Sequence, residues 1–308
     1  MRSILGQSVP VGGIVLSDDA STDATVDVVR REVELFNAAS PARQVELVGL
    51  PHEVCHGVTR NFQRAIETCR YPLIALCDQD DLWHYTKIAD QVATFDTHPE
   101  LLRLLHTDAR LVDDAGSERR PGTPLGSLEL TDELLRAEHD GGAFGILLRR
   151  NAVTGATVML RRSLLEAAAP FPDVWIHDER LAVIAAAIGI VDASTEPTID
   201  YRQHASNEIG ERAPTFRYKL SRLVESRESR NRAFAGRSAL LVERLQALGD
   251  SVPPARAKSA FEARRAGLPV SLWRRVAPLI GIALGGGYPR YASQGYRDIV
   301  RDLIQPTE

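Results

Sequence analysis

The sequence predicts an α/β fold, in which a mostly parallel sheet is flanked by helices and followed by a helical C-terminal extension. Apolar runs alternate with amphipathic segments through the first 110 residues, as is typical of parallel strands joined by crossover helices. The charge balance then changes: residues 1–210 hold 19 Lys/Arg against 32 Asp/Glu, whereas residues 211–308 hold 18 against 9. We therefore expect an α/β domain at 1–210 and a basic helical region at 211–308.

The predicted elements follow one another at short intervals. Residues 13–16 form an apolar run of the kind that a parallel sheet buries on both faces. A helix is predicted at 24–36, where valines and a phenylalanine recur on one face at helical spacing. A strand at 45–48, a helix at 58–69 and a strand at 73–77 continue the alternation.

Acidic side chains come directly after two of these strands. Asp18 and Asp19 follow the first strand, and the run Asp78-Gln79-Asp80-Asp81 follows the strand at 73–77. Ligands of open α/β sheets bind at the carboxyl ends of strands, and carboxylates there can hold a Mg or Mn ion that bridges the protein and a diphosphate. The alternative is a solvated acidic turn that caps the next helix, which is the usual meaning of an isolated Asp-x-Asp pattern.

Targeting and membrane-spanning segments are not predicted. The N-terminus has no apolar central region of a signal peptide. The longest uncharged apolar stretches, 181–191 and 276–288, are shorter than the roughly 18 to 20 residues that cross a bilayer. The sequence thus predicts a cytoplasmic protein, attached at most to the inner face of the membrane.

The cysteines do not indicate a disulfide framework. Cys55, Cys69 and Cys77 are few and odd in number. A zinc site that combines Cys55 with His52 and His56 is the alternative, but no Cys-x-x-Cys pair supports it. Buried thiols are the favoured interpretation.

Three ordered segments, 15–25, 57–62 and 76–83, resemble the successive donor-site segments of family 2 glycosyltransferases. Segments 154–159, 177–179 and 201–207 are similar to acceptor-side motifs of the rhamnosyltransferase-like subgroup. The resemblance covers about residues 1–210 and implies a GT-A fold, a nucleotide-sugar donor and a single inverting displacement. The processive Gln-x-x-Arg-Trp motif does not occur.

The resemblance also implies roles for individual residues. The general base that deprotonates the acceptor hydroxyl would be Asp178, whose alternative role is that of a helix-capping residue. The metal ligands would be Asp80, Asp81 and His204, holding Mg or Mn. The donor-binding residues would be Asp18, Asp19, Arg60, Asn61, Asp78 and Arg202. Asp18 and Asp19 have an Asx turn as their alternative, and Arg60 has a solvated helix start.

The start of the chain differs from the family pattern. Family members place an apolar strand and a long helix before the Ser-Asp-Asp segment, whereas residues 1–5 resemble only the tail of that helix. We expect either a start-site error or a real loss of the first strand, and in the second case an impaired sugar-nucleotide-binding homologue. A metal-dependent nucleotidyl or phosphoryl transferase is disfavoured, because no glycine-rich phosphate loop occurs.

The basic C-terminal region has two interpretations. Its helices, with Leu272, Trp273 and Arg274, could bring the enzyme to a membrane surface that carries a lipid-linked acceptor. Alternatively, they pack on the protein with a solvated arginine-rich face. Nucleic acid is not expected as a partner, because aromatic residues are not interleaved with the basic ones. The expected partners are a nucleotide sugar, for which dTDP-rhamnose is the donor that the resemblance suggests, and a glycan or lipid-linked acceptor of cell-surface polysaccharide synthesis.

Overall fold

The computed structural model describes residues 1–118, 123–127, 130–202, 226–250 and 252–306. The described residues divide into two units. The first comprises Met1–Ala143 and continues from Ala152, and the second comprises Phe144–Asn151 and the described residues from 226 onward. The predicted boundary at residue 210 lies outside the described residues and stays a prediction.

The first unit begins with a small layer of two parallel strands and a covering helix. After the short helix α1 (Arg2–Leu5), strand β1 (Gly13–Asp18) pairs in parallel with β2 (Glu46–Pro51), and α2 (Thr25–Ala39) lies between them in sequence. Val33 of α2 is buried with Leu5 and Val45 in the core of this layer. The predicted strands and helix are thus confirmed, with ends shifted by a few residues.

The next elements form a separate five-stranded sheet with order β3-β6-β5-β7-β4. The strands are β3 (Leu73–Ala75), β4 (Leu82–Trp83), β5 (Leu102–Val112), β6 (Met159–Arg161) and β7 (Ile190–Arg202). The helices between them are α3 (Val58–Thr68), α4 (Lys87–Thr97), α5 (Pro124–Ser127), α6 (Asp132–Ala137), α7 (Ala143–Arg149), α8 (Leu164–Ala168) and α9 (His177–Ile188).

The direction of these strands corrects one part of the prediction. The α/β class is confirmed, but only β5 and β7 pair in parallel within this sheet, whereas β3–β6, β5–β6 and β4–β7 pair antiparallel. The antiparallel pairings come from β4 and β6, which are two and three residues long. Strands this short carry no alternation that a sequence pattern can reveal.

The sheet is covered by helices whose apolar residues are buried. Residues 181–186 of α9 are among the most buried of the chain, and the first turn of α9 contains the acidic residue predicted as the base. Phe95 of α4 packs with Leu102 and Leu105 of β5 in the largest described core cluster of this unit. The rigid part of the unit therefore lies beneath the strand ends that carry the predicted site.

The second unit is helical in the part that the structure describes. It contains α10 (Arg227–Ala247), α11 (Pro253–Ala266), α12 (Leu272–Leu284), α13 (Gly287–Tyr291) and α14 (Arg297–Ile304). Phe261, Leu279, Ile282 and Tyr288 form its apolar core. Within the described residues, no helix has both the length and the apolar character needed to span a membrane.

Candidate functional site

The first acidic pair lies at the carboxyl end of β1. Asp18 is buried, and its Oδ2 accepts a hydrogen bond from the N–H of Ser21 at 3.0 Å, the local turn contact that the alternative interpretation predicts. Its backbone carbonyl accepts from the N–H of His52 at 3.0 Å. Asp18 thus joins its own turn to the loop after β2.

Asp19 holds the loop that precedes α3. Its carboxylate accepts from the N–H of His56 at 2.7 Å, from the N–H of Gly57 at 2.8 Å and from the thiol of Cys55 at 3.0 Å. Burial works against the charged form, but these three hydrogen bonds outweigh it and lower the pKa of Asp19. The carboxylate is therefore ionised and already engaged by protein donors.

The two residues of the predicted Arg-Asn pair contact different parts of the protein. Asn61 donates from Nδ2 to the carbonyl of Ser17 at 3.1 Å and accepts from its hydroxyl at 2.5 Å, so α3 is tied to the end of β1. Arg60 is exposed and forms a two-pronged ion pair with Asp173, with both N···O distances 2.7 Å. No sequence pattern pointed to Asp173 as the partner of Arg60, because the two residues are far apart in the chain.

Two further contacts join α3 to the start of α9. The hydroxyl of Thr59 donates to the carbonyl of Trp175 at 3.0 Å. The ring of Phe62 stacks on that of His177. The segment with the donor motif and the helix with the predicted base therefore form one packed region.

The second acidic run follows β3. Burial, followed by the charge of Asp80, raises the pKa of Asp78 to about 6. Burial raises the pKa of Asp81 to about 7, and the charges of Asp78 and Asp80 add to this effect. Oδ2 of Asp81 is buried and has no hydrogen-bond partner among the described residues. This carboxylate oxygen lacks the hydrogen-bond donor that burial of a charge demands, although the charge of Lys87 lowers the pKa of Asp81.

Arg202, at the end of β7, forms hydrogen bonds with two residues of the acidic run. Its backbone N–H donates to Oδ1 of Asp81 at 3.1 Å, and its guanidinium donates to the carbonyls of Asp80 at 3.2 Å and Asp114 at 2.6 Å. The structure thus brings Arg202, Asp80 and Asp81 together, as the resemblance implied. His204 lies outside the described residues.

A buried lysine beside the run was missed as a site residue. Lys87, the first residue of α4, is fully buried, and its Nζ donates to Thr198 Oγ1 at 3.3 Å and to the carbonyl of Thr157 at 3.4 Å. Burial lowers the pKa of Lys87 to about 7, while the charge of Asp81 raises it. A signal was present: Lys87 stands one residue before Ile88 and eight before Phe95, on the buried stripe of α4.

The acidic run fits a divalent cation without forming a complete cage. No group of three His, Cys, Asp or Glu side chains among the described residues is arranged to hold a metal ion. Mg commonly takes one or two carboxylates and fills its remaining positions with water and substrate phosphates. Asp80 and Asp81, with an unpartnered buried oxygen on Asp81, match that donor set.

Asp178 lies buried in the first turn of α9. Its Oδ1 accepts from the N–H of Glu179 at 2.6 Å. Burial raises the pKa of Asp178 to about 7, this N–H opposes the rise, and the charges of Glu179 and Asp78 add to it. A carboxylate with a pKa near neutrality suits proton abstraction.

Gly155 allows this arrangement. A Cβ on Gly155 would stand 3.2 Å from Oδ2 of Asp178, 3.3 Å from its Cβ and 3.3 Å from Nε2 of His177. The backbone of Gly155 also hydrogen-bonds the carboxylate. The segment at 154–159 therefore supports Asp178 directly, a role that sequence reasoning did not assign.

Comparison with known proteins agrees with this geometry. A model described as Glycosyl transferase family 2 matches residues 1–166. A mannosyltransferase from Pyrobaculum calidifontis, PcManGT, solved in complex with GDP-Man and Mn2+, is similar with a TM-score of 0.50 and 21% identity, over 94% of this chain and 71% of that one.

TarS 1-349 of S. aureus, solved in complex with UDP-GlcNAc, is similar with a TM-score of 0.50 and 16% identity, over 96% of this chain and 86% of that one. No curated protein matches this chain. At these identities the solved structures show the fold alone, whereas the family model covers more than half of the chain. The chain belongs to glycosyl transferase family 2 and is a glycosyltransferase with a GT-A fold.

Proposed function

We propose that this enzyme moves a sugar from a nucleotide diphosphate sugar to an acceptor hydroxyl in one inverting displacement. The observation that carries the proposal is the packing of α3 against the start of α9, where the hydroxyl of Thr59 donates to the carbonyl of Trp175 and Phe62 stacks on His177, because it brings the buried carboxylate of Asp178 next to the segment with the donor motif. A base and a diphosphate site must be adjacent in such a reaction, since the acceptor attacks the carbon that the diphosphate leaves.

The donor would lie across the carboxyl ends of β1 and β3. Asp18 and Asn61 contribute there, the latter by fixing α3 to β1 through Ser17. Asp19 contributes by ordering the loop at 55–57, whose N–H groups it binds. Arg60 contributes charge at the exposed rim.

The diphosphate would lie over the acidic run. Asp80 and Asp81, together with His204, would hold a Mg or Mn ion, which when bound supplies positive charge for the departing diphosphate. Asp78 lies within the same run, and Arg202 holds two of its members through hydrogen bonds. Ordered contacts of this kind keep the acidic groups in place before the donor arrives.

Asp178 would take the proton of the acceptor hydroxyl. Its carboxylate lies at the N-terminus of α9, where the helix dipole favours the ionised form. Its burial keeps water away. With a pKa of about 7, the ionised carboxylate can accept the proton of the acceptor hydroxyl near neutral pH.

The donor sugar and acceptor are proposed at a lower level of detail. The two similar structures hold GDP-Man and UDP-GlcNAc, and the resemblance of the chain to rhamnosyltransferases adds dTDP-rhamnose as the donor to test first. The acceptor would be a glycan or a lipid-linked sugar of cell-surface polysaccharide synthesis. Attachment to the inner face of the membrane is a separate proposal that depends on the C-terminal helices.

The test is a panel of UDP-, GDP- and dTDP-sugars with Mn2+ or Mg2+, scored by release of nucleotide diphosphate. One donor should give release that disappears with chelator and in Asp178→Asn, but persists in the exposed control Asp96→Asn. Binding of a donor without release of nucleotide diphosphate in the presence of any acceptor would favour the impaired homologue. Release of a nucleoside monophosphate would point instead to nucleotidyl transfer, and silence from every donor would contradict the proposal.

A further inference from the structure

Helix α12 presents an apolar face to solvent. Leu284 and Trp273 are each 84% exposed and Ile280 is 53% exposed. At 100° per residue these side chains, with Leu272 and Val276, fall within an arc of about 120°. We call this set (Leu272, Trp273, Val276, Ile280 and Leu284) the α12 face.

The side of α12 next to this face is fixed to its own unit. Leu279 and Ile282 are buried in the apolar core. Arg275 donates to the carbonyls of Pro269 at 2.8 Å and Leu303 at 2.7 Å, so this arginine is used inside the unit. The α12 face is therefore the outer side of a firmly packed helix.

The charges around the α12 face have one sign. No Asp or Glu occurs from residue 263 to residue 297, a stretch that contains six arginines. Two of them, Arg265 and Arg275, are buried. The four exposed ones are Arg264, Arg274, Arg290 and Arg297.

Other arginines of the basic region point inward as well. Arg227 and Arg230 are buried, and Arg230 pairs with Asp302 at 2.5 Å. Neither interpretation of the basic region predicted this burial. Arg232 on α10 and Arg256 on α11 are exposed, but the exposed arginines near α12 are combined with an exposed apolar face.

We propose that the α12 face docks on an anionic membrane surface, with α12 lying in the plane of the headgroups. A helix of 13 residues is about 20 Å long, too short to cross a bilayer but sufficient to lie at its interface. Exposed Trp and aliphatic side chains beside arginines suit the boundary between acyl chains and anionic headgroups. A second copy would suit this face less well, because a two-fold contact brings identical arginines together.

The intrinsic fluorescence of the protein provides a direct probe. The chain has three tryptophans. Trp83 and Trp175 are only 7% and 6% exposed, whereas Trp273 is 84% exposed. The full chain should therefore show a blue shift in emission when mixed with vesicles of phosphatidylcholine and phosphatidylglycerol at 3:1. Pure phosphatidylcholine vesicles and high salt should weaken the effect, since part of the attraction is electrostatic.

Variants separate the apolar and charged contributions. Ile280→Glu and Leu284→Glu should each weaken vesicle binding about tenfold or more, because a buried leucine-sized side chain contributes about that factor. Arg274→Gln should weaken binding to the anionic vesicles about fivefold. Leu35→Glu, on the exposed face of α2, is the matched control and should bind like the parent protein.

Some outcomes would overturn the proposal. Absence of vesicle binding by the parent protein would do so, as would an equal loss in Leu35→Glu. Sedimentation velocity completes the test. If the parent protein is a dimer that does not bind vesicles, and Ile280→Glu dissociates that dimer, the α12 face is a self-association surface instead. Thermal unfolding of each variant must match the parent, because all of these side chains are exposed, and donor turnover without vesicles should be unchanged.

Discussion

The ring of Phe62 lies flat on the ring of His177, with centroids 3.9 Å apart and planes inclined by 5°. His177 is buried, and neither of its ring nitrogens has a hydrogen-bond partner in the part of the chain that the structure describes. Burial lowers the pKa of His177 to about 3, so the ring is neutral. Although it precedes Asp178, this histidine neither faces solvent nor forms a hydrogen bond to the predicted base among the described contacts.

The first prediction concerns this stack. His177→Phe keeps the ring contact and removes two unsatisfied nitrogens, so the free energy of unfolding should rise by about 1–2 kcal/mol. Turnover should change by less than about threefold, because a packing ring makes no interaction specific to the transition state. Urea unfolding and steady-state kinetics measure both effects. A large loss of kcat with intact stability would show that His177 takes part in the reaction.

The second prediction concerns Asp178. Asp178→Asn should lower kcat by about 10²–10⁴-fold, the usual contribution of a general base, and leave the dissociation constant of the donor almost unchanged. Calorimetry of donor binding and product-release kinetics separate these quantities. Equal losses in binding and turnover would contradict a role as base and would favour the helix-capping interpretation.

The pH dependence of Asp178 follows from the direction of its shift. Since its pKa is raised to about 7, kcat/KM should fall as pH drops below about 7. The folded state binds this proton more tightly than the unfolded chain, whose Asp pKa is about 3.9, so stability is lost as pH rises between about 4 and 7. Asp178→Asn should therefore melt at a higher temperature than the parent at pH 8, with a smaller difference at pH 5. The opposite order at pH 8 would argue that the carboxylate is stabilised by charge or solvent.

The contact between Gly155 and Asp178 gives a third prediction. Gly155→Ala places a methyl group 3.2 Å from Oδ2, so the carboxylate must move by a few tenths of an ångström. We expect kcat to fall about tenfold or more, since small displacements at the reacting centre are costly. Gly145→Ala in α7 is the control, because its Cβ would meet no atom within 4 Å. Equal kinetics for the two variants would remove Gly155 from the supporting role.

Sequence patterns predicted the regular elements better than the sites of buried charge. The strand at 13–16 and the helix at 24–36 were found because apolar spacing fixes which face is buried. The short strands β4 and β6 were missed, and no pattern marked Lys87 or Arg230 as buried. Their burial depends on partners distant in the chain, such as Thr198 for Lys87 and Asp302 for Arg230. Residue type alone does not reveal such partners, because charged side chains are normally exposed.

In the candidate site too, the sequence predicted some features and missed contacts between residues distant in the chain. The resemblance of the segments brought Asp78 and Asp178 into one hypothesis, and burial raises the pKa of both carboxylates. The resemblance could not show that Asp19 is already held by the loop at 55–57, or that Arg60 pairs with Asp173. Both contacts depend on how a loop closes, which local spacing does not determine.

The acidic run gives a fourth prediction. Asp81→Asn should weaken Mn2+ binding in the presence of a nucleotide diphosphate by about tenfold or more, because a neutral amide oxygen replaces a charged ligand. Electron paramagnetic resonance of free Mn2+ measures this loss without relying on turnover. Asp90→Asn, exposed on α4, should bind as the parent does. Unchanged affinity in Asp81→Asn would leave the run as a structural turn.

A fifth prediction concerns the buried ionic cluster of the second unit. Asp302 is fully buried and accepts from Arg265 at 2.6 Å, from Tyr288 at 2.8 Å and from Arg230 at 2.5 Å. Burial alone would raise the pKa of Asp302, but the hydrogen bonds and the charge of Arg265 outweigh it and lower the pKa. The carboxylate is consequently the shared anion of three helices, α10, α11 and α14, and of the tyrosine in α13.

Removing that anion leaves two buried guanidinium groups without their common partner. Asp302→Asn should cost about 3–5 kcal/mol of unfolding free energy, whereas Glu243→Gln on the exposed side of α10 should cost less than about 0.5 kcal/mol. Because the folded pKa is depressed, the stabilisation is present above the unfolded pKa of about 3.9 and is lost as pH falls through the folded value. Urea titrations at pH 7 and in acid should thus show the unfolding free energies of the parent protein and Asp302→Asn converging at low pH. A gap of constant size would mean that Asp302 stabilises the unit by shape and not by charge.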